Sequence, residues 1–270
     1  MTVPERRTWT HEVMGSVATV RLIGGADGPE TSEQLAACFA ELDLADRVFS
    51  PYREDSDISR IRRGEMTIAD AHPLVAEVAS GCDDAELATR GLFSAWRDGA
   101  FDPTGFVKGW AIERAARTHL APLLGRGGCR AAGLSVGGDM QLLTAEGSDW
   151  TWRVGIADPR RPREVVATLE VPRGAVATSG SAERGAHIHD PRTGRAAAGG
   201  VASATVVSDS LTHADVWATA AVVAGFDDLE WIARAGTTTG ILVSDDGRVR
   251  RWLGTTEITV ATADGGLLPH

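Results

Sequence analysis

Cysteine is scarce in this chain of 270 residues, and its three cysteines lie far apart. Cys38, Cys82 and Cys129 form no CxxC pair and no Cys/His pattern. A thiolate metal site needs closely spaced ligands, and a disulfide framework needs a larger and even set of cysteines. The sequence therefore predicts neither kind of site.

An excess of positive charge is also absent. The chain carries 27 Lys and Arg residues against 37 Asp and Glu residues, for a formal net charge of -10. Proteins that bind nucleic acid or anionic membranes without sequence specificity usually present a basic face. We therefore expect no nucleic-acid partner, and instead small molecules or other proteins.

Long apolar segments are missing as well. No run of about 18 apolar residues occurs, so the sequence predicts no membrane insertion. The first nine residues contain neither the apolar core nor the small-residue cleavage site of a secretory signal. On these grounds we expect a cytoplasmic protein.

What is present is a regular succession of helix and strand patterns without repeats, low-complexity tracts or linkers. Hydrophobic residues make up 43% of the chain, which is enough for a sizeable core. Helical spacing predicts helices over 30–48, 55–62, 73–88, 103–125, 212–224 and 229–235, the last capped by Asp227. Apolar and β-branched runs predict strands over 11–23, 134–143, 150–156, 165–171, 174–178 and 201–207, with a hairpin over 237–252 that turns at Asp246-Gly247. These patterns predict an α+β domain over residues 1–270 with two interleaved lobes.

The segment 102–110 joins a helix-start signal to charged side chains. Asp102 has the chemistry of an N-cap and Pro103 suits the first helical position, so free backbone N–H groups would face a bound anion. Lys108 follows within two turns and would add positive charge. The Asp102 carboxylate would repel that anion unless a cation lay between them, which hints at a divalent metal. The alternative is an ordinary capped amphipathic helix.

A second polar pair lies on the predicted helix over 212–224. Asp215 and Thr219 are four residues apart and therefore share one helical face. Both offer hard oxygen ligands of the kind that Mg²⁺ prefers. Thr212 and Asp215 also have the spacing of a capping box, so a purely structural role for Asp215 is the alternative.

Histidines and glycine-bearing turns complete the candidate site. His187 and His189 are two residues apart on one face of a predicted strand, where a histidine could act as a general base or simply satisfy a buried partner. The turns that contain Gly138 and Ser179 could let the backbone approach a ligand or be only tight turns, and neither matches a Rossmann or Walker motif. Tyr52, the only tyrosine, could stack on an aromatic ligand or merely pack.

Taken together and in this order, these segments resemble the ApbE family, flavin transferases that attach FMN to protein threonines with FAD as donor. The resemblance extends over residues 14–262. It implies an α+β fold related to the T-fold, with mixed sheets and packed helices. Eight short segments carry the resemblance: 13–16, 50–60, 102–110, 136–139, 152–159, 177–180, 187–194 and 214–219.

The resemblance also implies roles for individual positions. Asp215, Thr219 and the main-chain carbonyl of Gly105 would bind Mg²⁺. His187, in the segment that matches the family's His-Ile-x-Asp-Pro motif, would be the catalytic base, with Asp215 as the alternative. Contacts to FAD are expected from Met14, Tyr52, Asp102, Lys108, Gly138, Ser179 and His187.

The implied reaction is Mg²⁺-dependent transfer of FMN from FAD to a threonine hydroxyl of an acceptor protein, with release of AMP. Two alternatives remain: hydrolysis of the FAD pyrophosphate to FMN and AMP, and binding or delivery of FAD without turnover. Many family members carry a secretory or lipoprotein signal, and this chain does not show one, which implies a cytoplasmic acceptor. Members also tend to have a longer stretch before the position of Asp102, where this chain has only residues 91–101.

Overall fold

The computed structural model of this protein describes residues 5–25, 28–97, 99–180, 188–236, 238–254 and 259–261. In chain order, its strands are β1 (Arg6–Val13), β2 (Ser16–Ile23), β3 (Trp96–Arg97), β4 (Ala100–Phe101), β5 (Ala131–Val136), β6 (Asp139–Thr144), β7 (Trp152–Asp158), β8 (Arg161–Val171), β9 (Gly174–Gly180), β10 (His189–Asp190), β11 (Arg195–Ala196), β12 (Val201–Ser208), β13 (Thr239–Ser244), β14 (Val249–Trp252) and β15 (Thr259–Ala261). Its α-helices are α1 (Pro29–Phe49), α2 (Asp57–Arg62), α3 (Pro73–Thr89), α4 (Thr104–Ala115) and α5 (Leu211–Ala224).

Eight strands form the main sheet in the order β1, β2, β5, β6, β9, β12, β13 and β14, and every neighbouring pair is antiparallel. The first hairpin of the chain therefore shares one sheet with strands from its second half. A smaller antiparallel sheet contains β15, β8 and β7. Two short hairpins, β3–β4 and β10–β11, stand apart from both sheets.

Side chains on the two faces of the main sheet enter different cores. Because successive side chains of a strand point to opposite faces, Ala132 and Leu134 of β5 pack with the helices, while Ala131 packs against the smaller sheet. Trp152 and Leu169 contribute the smaller sheet's side of that second core. The molecule thus has three layers, helices, main sheet and small sheet, which confirms the α+β prediction. Among the described residues, no helix combines the length and the apolar character needed to cross a membrane.

Two predicted strands are hairpins instead. The segment 11–23 is divided by a turn at Met14 and Gly15, whose φ angles are +54° and +65°. The segment 134–143 is divided at Gly137 and Gly138, with φ angles of +58° and +98°. Two successive residues in this left-handed region form the tight turns that connect antiparallel strands, and continuous β-propensity concealed them in the sequence.

The helices over 29–49, 57–62, 73–89 and 211–224 agree with their predictions within two residues at each end. The helix after Asp102 begins one residue later than predicted. Pro103 is the N-cap of α4, and the Asp102 carboxylate accepts hydrogen bonds from the N–H (3.3 Å) and hydroxyl (2.7 Å) of Thr104. After α4 the chain continues helically through a π turn and a short 3₁₀ turn to Leu123.

The predicted helix over 229–235 is only a 3₁₀ turn, Glu230–Ala233. Its first N–H group is capped by Asp228 at 3.0 Å and not by Asp227, whose carboxylate accepts from Arg250. The predicted hairpin over 237–252 is confirmed as β13 and β14.

Candidate active site

Three chain segments with predicted ligand contacts meet at one end of the main sheet. The turn at Met14 lies beside the turn at Gly138, because a Cβ atom on neighbouring Gly137 would be 3.3 Å from the Ser16 hydroxyl oxygen. The end of β9 reaches the same place, where the N–H of Thr178 donates to Asp139 Oδ1 at 2.9 Å. The sheet therefore brings residues distant in sequence to one edge.

Asp139 and Lys108 form an ion pair at this edge. The Asp139 side chain is 1% exposed, and its Oδ2 atom pairs with Lys108 Nζ from α4. A buried carboxylate requires such partners, since an unpaired buried charge is strongly unfavourable. Asp139 thus holds the Lys108 ammonium at the sheet end. The sequence predicts only glycine contacts at this turn and assigns no role to Asp139, whose one local signal is a charged residue at the first position of an apolar strand.

Helices α4 and α5 approach each other closely beside this ion pair. The N–H of Gly109 donates to Asp215 Oδ2 at 3.2 Å, and Asp215 is 4% exposed. In an α-helix, the same N–H points toward the carbonyl of the residue four positions earlier, which is Gly105. The Asp215 carboxylate and the Gly105 carbonyl therefore lie on the same side of α4.

Thr219 extends this group of oxygens by one helical turn. Its hydroxyl lies 3.2 Å from the hydroxyl of Ser179 at the end of β9. Asp215 and Thr219 share one face of α5, as the four-residue spacing predicts. The structure thus brings together Gly105, Lys108, Ser179, Asp215 and Thr219 from two helices and one strand.

The donor set fits a hard divalent cation. A carboxylate, a hydroxyl and a main-chain carbonyl are the oxygen ligands that Mg²⁺ takes, and a single carboxylate leaves positions for water and phosphate oxygens. Among the described residues, no group of three or more His, Cys, Asp or Glu side chains is placed to hold a metal. A cation held by this chain at α5 would therefore depend on the mixed oxygen set around Asp215.

The capping-box alternative for Asp215 is wrong. Ser210 caps α5, and its side-chain oxygen accepts from the N–H of His213 at 3.2 Å. The N–H and hydroxyl of Thr212 donate instead to the Glu113 carboxylate on α4, at 2.9 Å and 2.8 Å. Asp215 takes no part in the cap, which leaves its carboxylate directed at α4.

Asp102 lies one residue before the α4 cap and pairs with Arg62 from α2. The repulsion expected between Asp102 and a bound anion is therefore offset by a cation that the protein itself supplies. The Asp102 charge therefore does not require a metal, and only the oxygen ligands of Asp215, Thr219 and Gly105 favour one. Arg62 was not identified from the sequence, because nothing local links α2 to the segment after β4.

Two predicted residues, Tyr52 and His189, are not brought into this group. Tyr52 lies in the loop between α1 and α2 and is 90% exposed. His187 lies outside the described residues. His189 begins the β10–β11 hairpin, and its Nε2 atom is 3.0 Å from the Arg97 guanidinium, which ties this hairpin to β3.

His213 belongs to the packing of α5. Its Nε2 atom accepts from the indole N–H of Trp217 at 2.7 Å, and its Nδ1 atom is 3.2 Å from the Ser208 hydroxyl. Burial lowers the pKa of this imidazole, and the nearby Glu113 carboxylate acts in the opposite direction. Trp217 stacks in turn on Trp231, which anchors α5 in the core.

Known proteins share parts of this sequence. The model of the ApbE family matches residues 95–242, more than half of the chain. A protein of Rhodobacter capsulatus named FAD:protein FMN transferase is 37% identical over 157 residues, which cover 55% of this chain and 29% of the relative. A protein of the same name from Escherichia coli strain K12 is 28% identical over 151 residues, covering 52% of this chain and 43% of the relative.

The chain thus spans less than half the length of these two relatives. A longer alignment, at 23% identity, joins 93% of this chain to 88% of the FAD:protein FMN transferase of Salmonella typhimurium. Among solved structures, the flavin transferase ApbE of Vibrio cholerae superposes with a TM-score of 0.71 at 20% identity, covering 94% of this chain and 98% of that one. The ApbE protein of Thermotoga maritima has a TM-score of 0.74 at 20% identity and covers 92% and 97%.

The structural likeness extends over nearly the whole chain and shows a common fold. The family model covers both helices of the candidate site, from the segment before α4 to the strand after α5. Fold and sequence therefore agree that this chain belongs to the ApbE family.

Proposed function

We propose that this protein transfers FMN from FAD to a threonine hydroxyl of an acceptor protein, with Mg²⁺ as cofactor and AMP as the second product. The observation that carries the proposal is that α4, α5 and the sheet end meet. Lys108 pairs with Asp139 there, the Asp215 carboxylate accepts from the Gly109 N–H, and the Thr219 hydroxyl lies 3.2 Å from that of Ser179. The names of the curated relatives, FAD:protein FMN transferase, support the same reaction.

Each part of the site has a role in this proposal. Asp215, Thr219 and the Gly105 carbonyl hold Mg²⁺, which when bound neutralises negative charge on the phosphate oxygens. Lys108 adds a second positive charge for the pyrophosphate, and Asp139 keeps its ammonium in place. Charge stabilisation by fixed groups of this kind is usually the largest contribution to phosphoryl transfer.

The reaction forms one P–O bond and breaks one. The threonine oxygen attacks the phosphorus of the FMN half, and the bond from that phosphorus to the bridging oxygen breaks. The bridging oxygen leaves with AMP, and FMN becomes attached to threonine through a phosphodiester. The threonine proton passes to a base, for which we propose His187, with Asp215 as the alternative.

Five further residues complete the predicted contacts to FAD. Met14, Gly138 and Ser179 lie at the sheet end. They would contact the parts of FAD that extend beyond its pyrophosphate. Asp102 lies one residue before the cap of α4, and Tyr52 lies in the loop between α1 and α2 with its ring exposed. We propose that all five contact FAD.

The test uses mass spectrometry after incubation with FAD, Mg²⁺ and flavin-dependent reductases that expose a threonine as acceptors. We expect the acceptor to gain one FMN while AMP appears. Asp215→Asn should lower the rate by about 100-fold or more, whereas Asp83→Asn, an exposed change on α3, should not. Undiminished transfer by Asp215→Asn would contradict the metal assignment.

The same spectrum distinguishes the alternatives. Free FMN and AMP without a modified acceptor would indicate FAD hydrolysis, and intact FAD retained in stoichiometric amount would indicate a binding protein.

Lys108 is the only lysine in the chain. An amine-directed reagent should therefore modify the peptide around Lys108 in the free protein, and FAD with Mg²⁺ should protect that peptide.

A further inference from the structure

Helices α4 and α5 run antiparallel along a contact that contains most of the candidate metal ligands. Gly105, Gly109 and Glu113 are spaced by four residues and therefore form one face of α4. Gly109 meets Asp215, and Glu113, one turn further along α4, meets Thr212 near the start of α5. Later residues of α4 therefore contact earlier residues of α5, as in an antiparallel helix pair.

Glu113 joins the two helices through several hydrogen bonds. Its Oε2 atom accepts from the Ser210 hydroxyl at 2.6 Å and from the N–H and hydroxyl of Thr212 at 2.9 Å and 2.8 Å. Its Oε1 atom accepts from Arg117 Nε at 2.9 Å, and Arg117 also donates to the Asp209 carbonyl at 2.9 Å. We call this set of contacts between Glu113 and residues 210–212 the clasp.

The clasp joins the two helices at a second place, beside the Gly109–Asp215 hydrogen bond. Gly109 has no side chain to interdigitate with α5, so packing at this point resists sliding of one helix along the other only weakly. Metal coordination requires ligand distances within about 0.2 Å of the preferred value. Gly105 lies on α4 and Asp215 on α5, and their separation therefore depends on the relative position of the two helices.

We propose that Glu113 is a positioning residue that sets the register of α5 against α4 and thereby the affinity of the site for its divalent cation. The inference rests on the proposed function, because it presupposes the cation site at Asp215. Glu113 itself does not touch the cation. Glu113 lies two helical turns after Gly105 on α4. It affects the cation site only through Thr212 and the first turn of α5.

Glu41 offers a matched control. Its side chain is 16% exposed, against 15% for Glu113, and it also binds the α4 region, accepting from Arg114 Nε at 2.5 Å and from His119 Nε2 at 2.7 Å. Glu41 belongs to α1, however, and none of its described hydrogen bonds reaches α5. Removing it should cost stability without changing the register of α4 and α5.

The full chain is titrated with Mn²⁺, a paramagnetic substitute for Mg²⁺, first without and then with FAD. Binding is followed through the EPR signal of free Mn²⁺. Thermal unfolding of each variant is recorded in parallel. We expect Glu113→Ala to weaken Mn²⁺ binding by about 10-fold or more. Glu113→Gln should fall between Glu113→Ala and wild type, and Glu41→Ala should bind Mn²⁺ like wild type although its unfolding temperature falls.

Thr212→Val removes only the hydroxyl of the clasp and keeps the side-chain shape, so it tests the idea even if Glu113→Ala does not fold. It should weaken Mn²⁺ binding in the same direction by a smaller factor. Wild-type affinity in Glu113→Gln and Thr212→Val, or an equal loss in Glu41→Ala, would overturn the clasp while leaving the metal site intact. Absence of Mn²⁺ binding by wild type would overturn the metal site, and the clasp with it.

Discussion

Gly109 lies at a close approach of α4 and α5. A Cβ atom at this position would lie 2.9 Å from Asp215 Cβ and 3.0 Å from the Leu211 carbonyl oxygen. The second neighbour is backbone, which cannot rotate away. Glycine is therefore required here for the helices to bring Gly105 and Asp215 to the same place.

Gly109→Ala should lower the free energy of unfolding by about 1–3 kcal/mol, since the added methyl group must push the two helices apart. The same shift should reduce Mg²⁺-dependent transfer more than the loss of stability alone explains. Gly155→Ala is a suitable control, because the new methyl group would meet only the end of the Val165 side chain, at 3.2 Å. Denaturant unfolding and transfer assays measure the two effects, and wild-type stability of Gly109→Ala would contradict the packing argument.

At the same scale, the Lys108–Asp139 pair holds a side-chain cation at the sheet end. The Asp139 carboxylate has one oxygen bound by a main-chain N–H and the other by the ammonium. A charge-assisted pair held this way limits the rotamers of a long and flexible lysine. Pre-set geometry of this kind reduces the entropy that substrate binding must overcome.

Among the larger elements, the β7–β8 hairpin has a single aspartate that binds several groups of its turn. Asp158 accepts from the N–H of Arg160 at 2.9 Å and from the guanidinium groups of Arg160 and Arg161. The backbone hydrogen bond contributes most, and together these contacts lower the pKa of Asp158 to about 2. Arg160 also donates to the Asp246 carbonyl at 3.4 Å, which joins this turn to the turn between β13 and β14.

The pH dependence follows from the direction of this shift. The ionised form of Asp158 is favoured in the folded state, so its contribution is complete above pH about 4 and is lost as the pH falls toward 2. Asp158→Asn should lower stability by about 1–2 kcal/mol at neutral pH and flatten the decline of stability between pH about 4 and 2. Urea unfolding across this range measures both effects.

Asp83→Asn, an exposed change on α3, serves as the comparison and should follow the wild-type curve. If Asp158→Asn were as stable as wild type at neutral pH, the hydrogen bonds at this turn would not stabilise the hairpin.

Across the whole molecule, the three cysteines report on the integrity of the helical layer. Cys38, Cys82 and Cys129 are all buried in the core between helices and main sheet. Burial raises the pKa of the thiols of Cys38 and Cys82 to about 12, and that of Cys129 is raised as well. The reactive thiolate form is therefore scarce in the folded protein.

A thiol-directed reagent such as Ellman's reagent should consequently react slowly with the native protein and rapidly with all three cysteines after denaturation. The native reaction should accelerate in step with global unfolding as denaturant is added. A single thiol that reacts at the rate of free cysteine in native buffer would show that the helical layer opens locally.

Much of the architecture is predictable from the sequence, because the local apolar patterns agree with the burial of each element in the fold. Helices α1 and α3 carry apolar residues at helical spacing and bury that face, α1 chiefly against α4 and α3 against α4 and α5. Helix α5 is buried on nearly all sides and packs on β9 and β12 of the main sheet. The hairpins at Met14 and at Gly137-Gly138 were missed because their flanking strands form continuous β-branched or apolar runs. A cytoplasmic location and a single domain over residues 1–270 remain predictions.

In the candidate site, the sequence predicts which residues take part, whereas their partners are known only from the structure. The pairing of Asp215 with Thr219 could be inferred from a four-residue spacing on one helix. The predicted capping box of Thr212 and Asp215 has an equally good spacing and is wrong. Thr212 binds Glu113 instead, which is 99 residues away in sequence and gives no local signal. The partners Arg62, Glu113 and Asp139 left no local signal of their roles.

The sequence by itself determined which side chains this protein can use: one lysine, hard oxygen ligands and glycines where helices and turns must be close. Those choices follow from side-chain chemistry and from periodicity over a few residues. Only the tertiary structure decided that Lys108 faces Asp139, that Arg62 neutralises Asp102 and that Asp215 is directed at α4. Such pairings depend on strand order and helix packing, which arise from contacts between residues far apart in the chain.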